Sequence, residues 1–243
     1  MRQATCRLPH ALLPVPLGAT TLLPHRSGDI DETAEWGDAR LTKAADPKLR
    51  HEKVGAPASS AEDSPATRLL HRVLGLLPQG EKRRSVVILS GGVGSGKTGA
   101  AEVLAQGLRA RGVSVGGVVA PRILGNGETI GYRIRDLGTK EERPFAKDRR
   151  PGIQVGRFFV DEQGLRFALA AIERGARDAQ VVFVDEVGRW ELSGGGLAPA
   201  LRGLLRSEAL PILLARSELA SAVVEAFALS GVEFAEVEVR HAA

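Results

Sequence analysis

One cysteine, Cys6, occurs in 243 residues. A single thiol closes no internal disulfide and supplies no cysteine-based zinc site. It fits a reducing compartment, and a cytoplasmic location is expected. Long apolar runs are missing too: none approaches the roughly 18 residues of a membrane-spanning helix, so no membrane partner is expected. Aromatic residues make up 4% of the chain and the formal net charge is only +4. No basic stripe interleaved with aromatics emerges, so a nucleic-acid partner is not indicated. Histidine is scarce where it would matter. His10, His25, His51 and His71 lie in the first third and His241 near the end. The stretch between offers no histidine base, which removes Ser-His and Cys-His chemistry. No internal repeat is found.

What is present divides near residue 80. Residues 1–28 carry Arg2, Arg7 and Arg26, no acid, and a partly apolar stretch interrupted by Pro9, Pro14 and Pro16. That composition is partly targeting-like. Residues 24–66 are rich in Pro, Ser, Asp, Ala and Lys without sustained period. They bury too little apolar surface to offset chain entropy, so 1–65 is expected to be a disordered or targeting-like extension. Leu69, Leu70, Val73, Leu74 and Leu77 then fall at helical spacing, predicting an amphipathic helix and linker over 66–80.

From residue 81 onward, short apolar runs alternate with helical patterns. Val86–Leu89 reads as a buried strand, Thr98–Arg111 as a helix, and Val113–Ala120 as a second strand. Gly125-Asn126-Gly127 predicts a hairpin turn. Glu142–Gly152, charged and proline-flanked, reads as a loop. A helix around Leu165–Ala176, a strand at Val181–Val184, a helix at Leu197–Leu205 and a strand at Pro211–Leu214 follow. A helix around Leu219–Phe227 and an edge strand over Val232–Val239 complete the pattern. Such alternation predicts an α/β fold of three layers around a mainly parallel central sheet, with a domain spanning 81–243.

The first of these strands runs into Gly91-Gly92-Val93-Gly94-Ser95-Gly96-Lys97-Thr98. This is the G-x-x-x-x-G-K-[ST] pattern of a P-loop, in its proper strand–loop–helix context. The glycines let successive N–H groups converge on phosphates, and the following helix adds its positive end. Lys97 is expected on the β- and γ-phosphates and Thr98 on Mg²⁺. A metal-holding carboxylate belongs at the end of a neighbouring buried strand. Val181-Val182-Phe183-Val184-Asp185-Glu186 supplies one, with Asp185 for Mg²⁺ and Glu186 to polarise a water. Arg189 and Arg216 are candidates for neutralising charge on the transferring phosphoryl group. Leu192-Ser193-Gly194-Gly195-Gly196 resembles a transporter-ATPase signature but follows the acid pair, so it is read as a turn. No Asn-Lys-x-Asp element is present, so base selectivity is expected to be loose.

These residues leave three readings open. One is Mg²⁺-dependent hydrolysis of ATP, GTP, CTP or UTP. A second is a kinase for a small acceptor, with Arg143, Lys147, Arg149, Arg150 and Arg157 on a lid. The third is a nucleotide-gated module whose basic tail and 66–77 helix recruit a protein partner.

Over about Val86 to Leu214 the chain resembles the THEP1-like nucleoside-triphosphatases. Asp185-Glu186-Val187-Gly188-Arg189-Trp190-Glu191-Leu192 is similar to that family's Asp-Glu-Ile-Gly-Lys-Met-Glu-Leu. Gly116-Gly117-Val118, Ile130-Gly131-Tyr132 and Val155–Val160 also match its patterns. The resemblance implies a RecA-like or AAA-like domain that hydrolyses several nucleoside triphosphates with Mg²⁺. It implies phosphate binding at Gly91–Thr98, metal at Thr98 and Asp185, and water activation at Glu186. Arg189 stands where the family has Lys, and Trp190 where it has Met. Ala120-Pro121-Arg122 lacks an expected Thr-x-Glu, and Ala215-Arg216 replaces Thr and His.

Overall fold

The structure, a computed structural model, describes residues 64–77 and 85–239 together with the backbone of 39–42. Cys6 and the rest of the extension expected over 1–65, and His241 near the other end, lie outside the described residues. All described residues fall within one compact unit, Trp36–Ala243.

The chain begins with β1 (Ala39–Thr42), α1 (Pro65–Leu76), β2 (Val86–Ser90), α2 (Lys97–Arg109) and β3 (Val115–Val119). An antiparallel segment follows: β4 (Arg122–Gly125), β5 (Glu128–Asp136), β6 (Glu142–Lys147), β7 (Ile153–Val155) and β8 (Phe158–Val160). Then come α3 (Glu162–Asp178), β9 (Val181–Asp185), α4 (Arg189–Leu192) and α5 (Ala198–Leu204). The chain closes with β10 (Leu210–Ala215), α6 (Ala220–Ala226) and β11 (Val232–Val239). The eleven strands among the described residues form one sheet in the order β1-β11-β2-β10-β9-β3-β5-β6-β8-β7, with β4 on β5. The central five, β11-β2-β10-β9-β3, are parallel.

Apolar residues on both sides of each central strand explain why the sheet is covered twice. Val86 and Ile88 face one cluster, with Ala168 and Ile172 of α3 and Leu201 of α5. Val87 and Leu89 face the other, with Leu104 and Leu108 of α2 and Leu69 and Val73 of α1. The result is helix, sheet, helix: the three layers expected.

Local chemistry sets the helix starts. The Ser64 side chain caps α1 by accepting from Thr67 N at 3.1 Å, with Pro65 in its first turn. Asp161 caps α3 in the same way, accepting from Gly164 N at 2.8 Å. The Asn126-Gly127 hairpin forms between β4 and β5, both residues with positive φ (50° and 80°).

Several expectations need correction. Glu142–Gly152 is not all loop: its first six residues form β6, paired antiparallel with β5. Pro144 is tolerated there because the register shifts beside its partner, between Tyr132 and Arg133. Of the residues proposed for a lid, Arg143 and Lys147 lie on β6, and Arg149, Arg150 and Arg157 lie in the turns on either side of β7. Arg143 lies over Phe167, Arg150 over Phe159 and Arg157 over Phe158. Val232–Val239 is no edge strand, because β1 pairs with its outer side. That pairing also gives Ala39–Thr42, in the extension, a defined backbone. Finally, the apolar face of α1 is occupied. Leu69, Leu70 and Val73 are buried, and the bare Cα of Gly107 admits Leu70. A partner-recruiting role for that face has no free surface to use.

Candidate active site

The P-loop connects the buried end of β2 to the start of α2. Gly94 and Gly96 adopt left-handed φ of 77° and 87°, which glycine reaches without a Cβ penalty. Gly91 is needed for space, since a Cβ there would press on Ser95 Oγ and the Val237 carbonyl. Helix α2 has no side-chain cap and no acid in its first turn, so its leading N–H groups are left for an anion. Ser95 Oγ is buried and has no hydrogen-bond partner among the described residues. Val93, at the loop tip, is 76% exposed.

Lys97 is 7% exposed, and its Nζ donates to the carbonyls of Gly91 and Gly92, both at 3.0 Å. Burial lowers its pKa, against the opposing pull of Glu186 and then Asp185. An ammonium that burial disfavours, folded onto its own loop, is placed to be better compensated by phosphate.

The acid pair ends β9, but β9 is not the hydrogen-bonded neighbour of β2. β10 lies between them, so the expectation of an adjacent strand is corrected. Thr98, in the first turn of α2, spans the gap, with Oγ1 donating to Asp185 Oδ2 at 2.8 Å. Ala120 N donates to the same oxygen at 2.9 Å. Asp185 is 3% exposed. Burial pushes its carboxyl up to about 6, with the hydrogen bonds from Ala120 and Thr98 pulling the other way.

Because β10 is interposed, the residue that follows its C-terminal end reaches the site. Arg216 Nε donates to Glu186 Oε1 at 3.0 Å, with both side chains partly exposed. Glu186 also bears on Lys97 and Tyr132. Tyr132 sits half-buried on β5, its ring edge-on to Phe158 at 5.2 Å. Burial and then Glu186 raise the pKa of its hydroxyl.

Lys97, Thr98, Asp185, Glu186 and Arg216 thus come together. Arg189 does not join them. It is exposed at the start of α4, with no side-chain hydrogen bond or ion pair among the described residues. The rest of the Asp-Glu segment is structural. Glu191 is 7% exposed and accepts from Gly188 N at 3.0 Å and Leu197 N at 3.1 Å. Burial raises its pKa while those two donors counter the effect. A Cβ at Gly196 would overlap Glu191, and one at Gly195 would overlap Trp190. Gly195 and Gly196 therefore lie directly on those side chains.

Tyr132 and Arg122 were not anticipated as site residues. Arg122 opens β4, opposite Tyr132, and its Nη1 would lie 3.6 Å from a Cβ on Gly94. A sequence signal existed only in its departure from the Thr-x-Glu pattern.

A three-layer α/β domain with this loop, lysine and acid pair defines a P-loop nucleotide-binding protein. Residues 86–241 match the NTPase family, and the chain belongs to it. It is 36% identical to nucleoside-triphosphatase THEP1 of Methanopyrus kandleri over 48% of this chain and 64% of that protein. The THEP1 proteins of Pyrococcus abyssi and Thermofilum pendens are 36% and 37% identical, over 49% and 50% of this chain and 68% of each. The chain therefore spans about two thirds of the length of these relatives. A solution structure of a human cancer-related nucleoside triphosphatase aligns with TM-score 0.48 and 20% identity over 63% of this chain and 87% of that one.

Proposed function

We propose that this chain hydrolyses nucleoside triphosphates to diphosphate and phosphate with Mg²⁺ and little base selectivity. The observation that carries the reading is Asp185, buried at a strand end and joined to Thr98 of the P-loop, with Glu186 following it. The family relationship and the relatives' names support the activity; the missing guanine-selecting element supports loose base choice.

The donor set fits Mg²⁺. Thr98 Oγ1 and Asp185 Oδ2 are hard oxygen ligands already 2.8 Å apart. A nearby cation would offset the burial that disfavours ionised Asp185. Thr98 and Asp185 would hold the ion, which when bound neutralises charge on the β- and γ-phosphates. The loop N–H groups and Lys97 bind the phosphates and orient the γ-phosphorus. Glu186 takes a proton from a water as its oxygen bonds to that phosphorus. The bond from phosphorus to the bridging oxygen breaks, and its electrons pass to the diphosphate. Arg216 holds Glu186 in place in the ligand-free protein and stands within the same cluster of charge.

Phosphate release across ATP, GTP, CTP and UTP, with and without Mg²⁺, tests the substrate claim. Glu186→Gln is expected to bind nucleotide almost normally while turnover falls by ~10²-fold or more, the scale of lost acid–base assistance. Unchanged turnover would remove Glu186 from this role. Turnover that appears only with an added small acceptor would favour the kinase reading.

A further inference from the structure

We infer that Arg122 is a phosphate-contacting arginine that recognises the terminal γ-phosphate of the triphosphate; this rests on the nucleotide-binding reading of the P-loop. Arg122 leads β4, which among the described residues is hydrogen-bonded to β5 alone. That hairpin lies against the phosphate loop, for the guanidinium stands beside Gly94, with Nη1 3.6 Å from where a Cβ would be.

Two observations point to an anion between Arg122 and the loop. First, the side chain is exposed and has no hydrogen bond or ion pair among the described residues. A guanidinium carries five donors, and here they meet no acceptor. Second, the loop it stands beside presents donors. The start of α2 presents uncapped N–H groups with no acid in the first turn, and Lys97 lies in the same loop. A guanidinium held beside those N–H groups shares their preference for an anion. Of the two acids at the site, Asp185 is engaged by Thr98 and Ala120, and Glu186 by Arg216. Neither is paired with Arg122.

The γ-phosphate is the part of the ligand it suits. Lys97 lies on the Gly91 and Gly92 carbonyls, and Arg122 on Gly94, so both cations flank the first half of the loop. The lysine marks the β- and γ-phosphate end. Arg122 thus stands beside that end of the loop, as an arginine supplied in cis does.

The test compares triphosphate with diphosphate. Calorimetric titrations in Mg²⁺ use wild type, Arg122→Ala and Arg122→Lys, with the β,γ-imido analogues of ATP and GTP and with ADP and GDP. Arg122→Ala is expected to weaken the imido triphosphates by about 10-fold or more, as loss of a charge-assisted hydrogen bond does. The diphosphates should change by less than about 2-fold, and Arg122→Lys should recover part of the loss because it keeps the charge without the fork. The unfolding temperature should stay unchanged, since the side chain holds no intramolecular bond. Equal weakening of both nucleotide classes, or none, overturns the assignment. Should wild type bind nucleotide yet release no phosphate, the hydrolysis reading falls while this contrast still decides Arg122.

Discussion

Replacing Asp185 by Asn should stabilise the ligand-free protein while disabling its site. The carboxyl is 3% exposed and its pKa stands at about 6 against an ordinary 3.8. That difference corresponds to about 3 kcal/mol, at roughly 1.4 kcal/mol per pH unit. The sign follows from which state holds the proton. Between 3.8 and about 6 the folded protein keeps a proton that the unfolded chain has released. Stability is therefore greatest below that window, falls through it, and stays reduced above it. Asparagine removes this penalty and keeps both hydrogen bonds, because a carbonyl oxygen in the place of Oδ2 accepts from Ala120 N and from Thr98 Oγ1. In EDTA, without nucleotide, Asp185→Asn should melt about 6–12 °C above wild type at pH 8, taking about 2–4 °C per kcal/mol for this size. At pH 5 the gain should be about half as large. With saturating nucleotide and Mg²⁺ the order should reverse, because only wild type gains binding energy from the metal complex. A variant less stable than wild type at pH 8, or a gain independent of pH, would refute the reasoning.

Two further substitutions test what holds the site in place. Glu191→Ala strips the acceptor from the buried N–H groups of Gly188 and Leu197. It should cost about 3 kcal/mol, visible as a lower denaturant midpoint. Glu191→Gln should restore part of that; an alanine variant as stable as wild type would show the capping to be unimportant. Gly117, at φ 85° in β3, has Phe183 backbone where a Cβ would go, whereas Gly112, at φ 78°, faces open space. Gly112→Ala should cost about 1 kcal/mol from conformation alone, and Gly117→Ala several times more in thermal unfolding. Equal losses would mean that the contact between β3 and β9 is not close.

The elements legible in the chain were those whose signal is local. The apolar run at Val86–Leu89, the loop pattern at Gly91–Thr98 and the Asn126-Gly127 turn each state their own conformation. The acid pair at Asp185-Glu186 was equally plain, ending a run of four apolar residues. β6 was hidden because Glu142–Lys147 carries charge and Pro144, and such a strand forms only by pairing with β5 at a shifted register. The burial of α1 against α2 was hidden too, since an amphipathic face does not name its partner.

Arg189 and Arg216 show where local reasoning stops. Arg189 stands three residues after Glu186 and is exposed outside the cluster, while Arg216, 30 residues away, donates to Glu186. Sequence by itself determined the phosphate loop, the acid pair and the α/β layering, because backbone conformation and burial periodicity are written in neighbouring residues. Tertiary structure alone decided the interposition of β10 between β2 and β9. That order brings Arg216 to Glu186, and the β4 hairpin brings Arg122 to Gly94. Strand order is set by packing across the whole sheet, and no short stretch of chain encodes it.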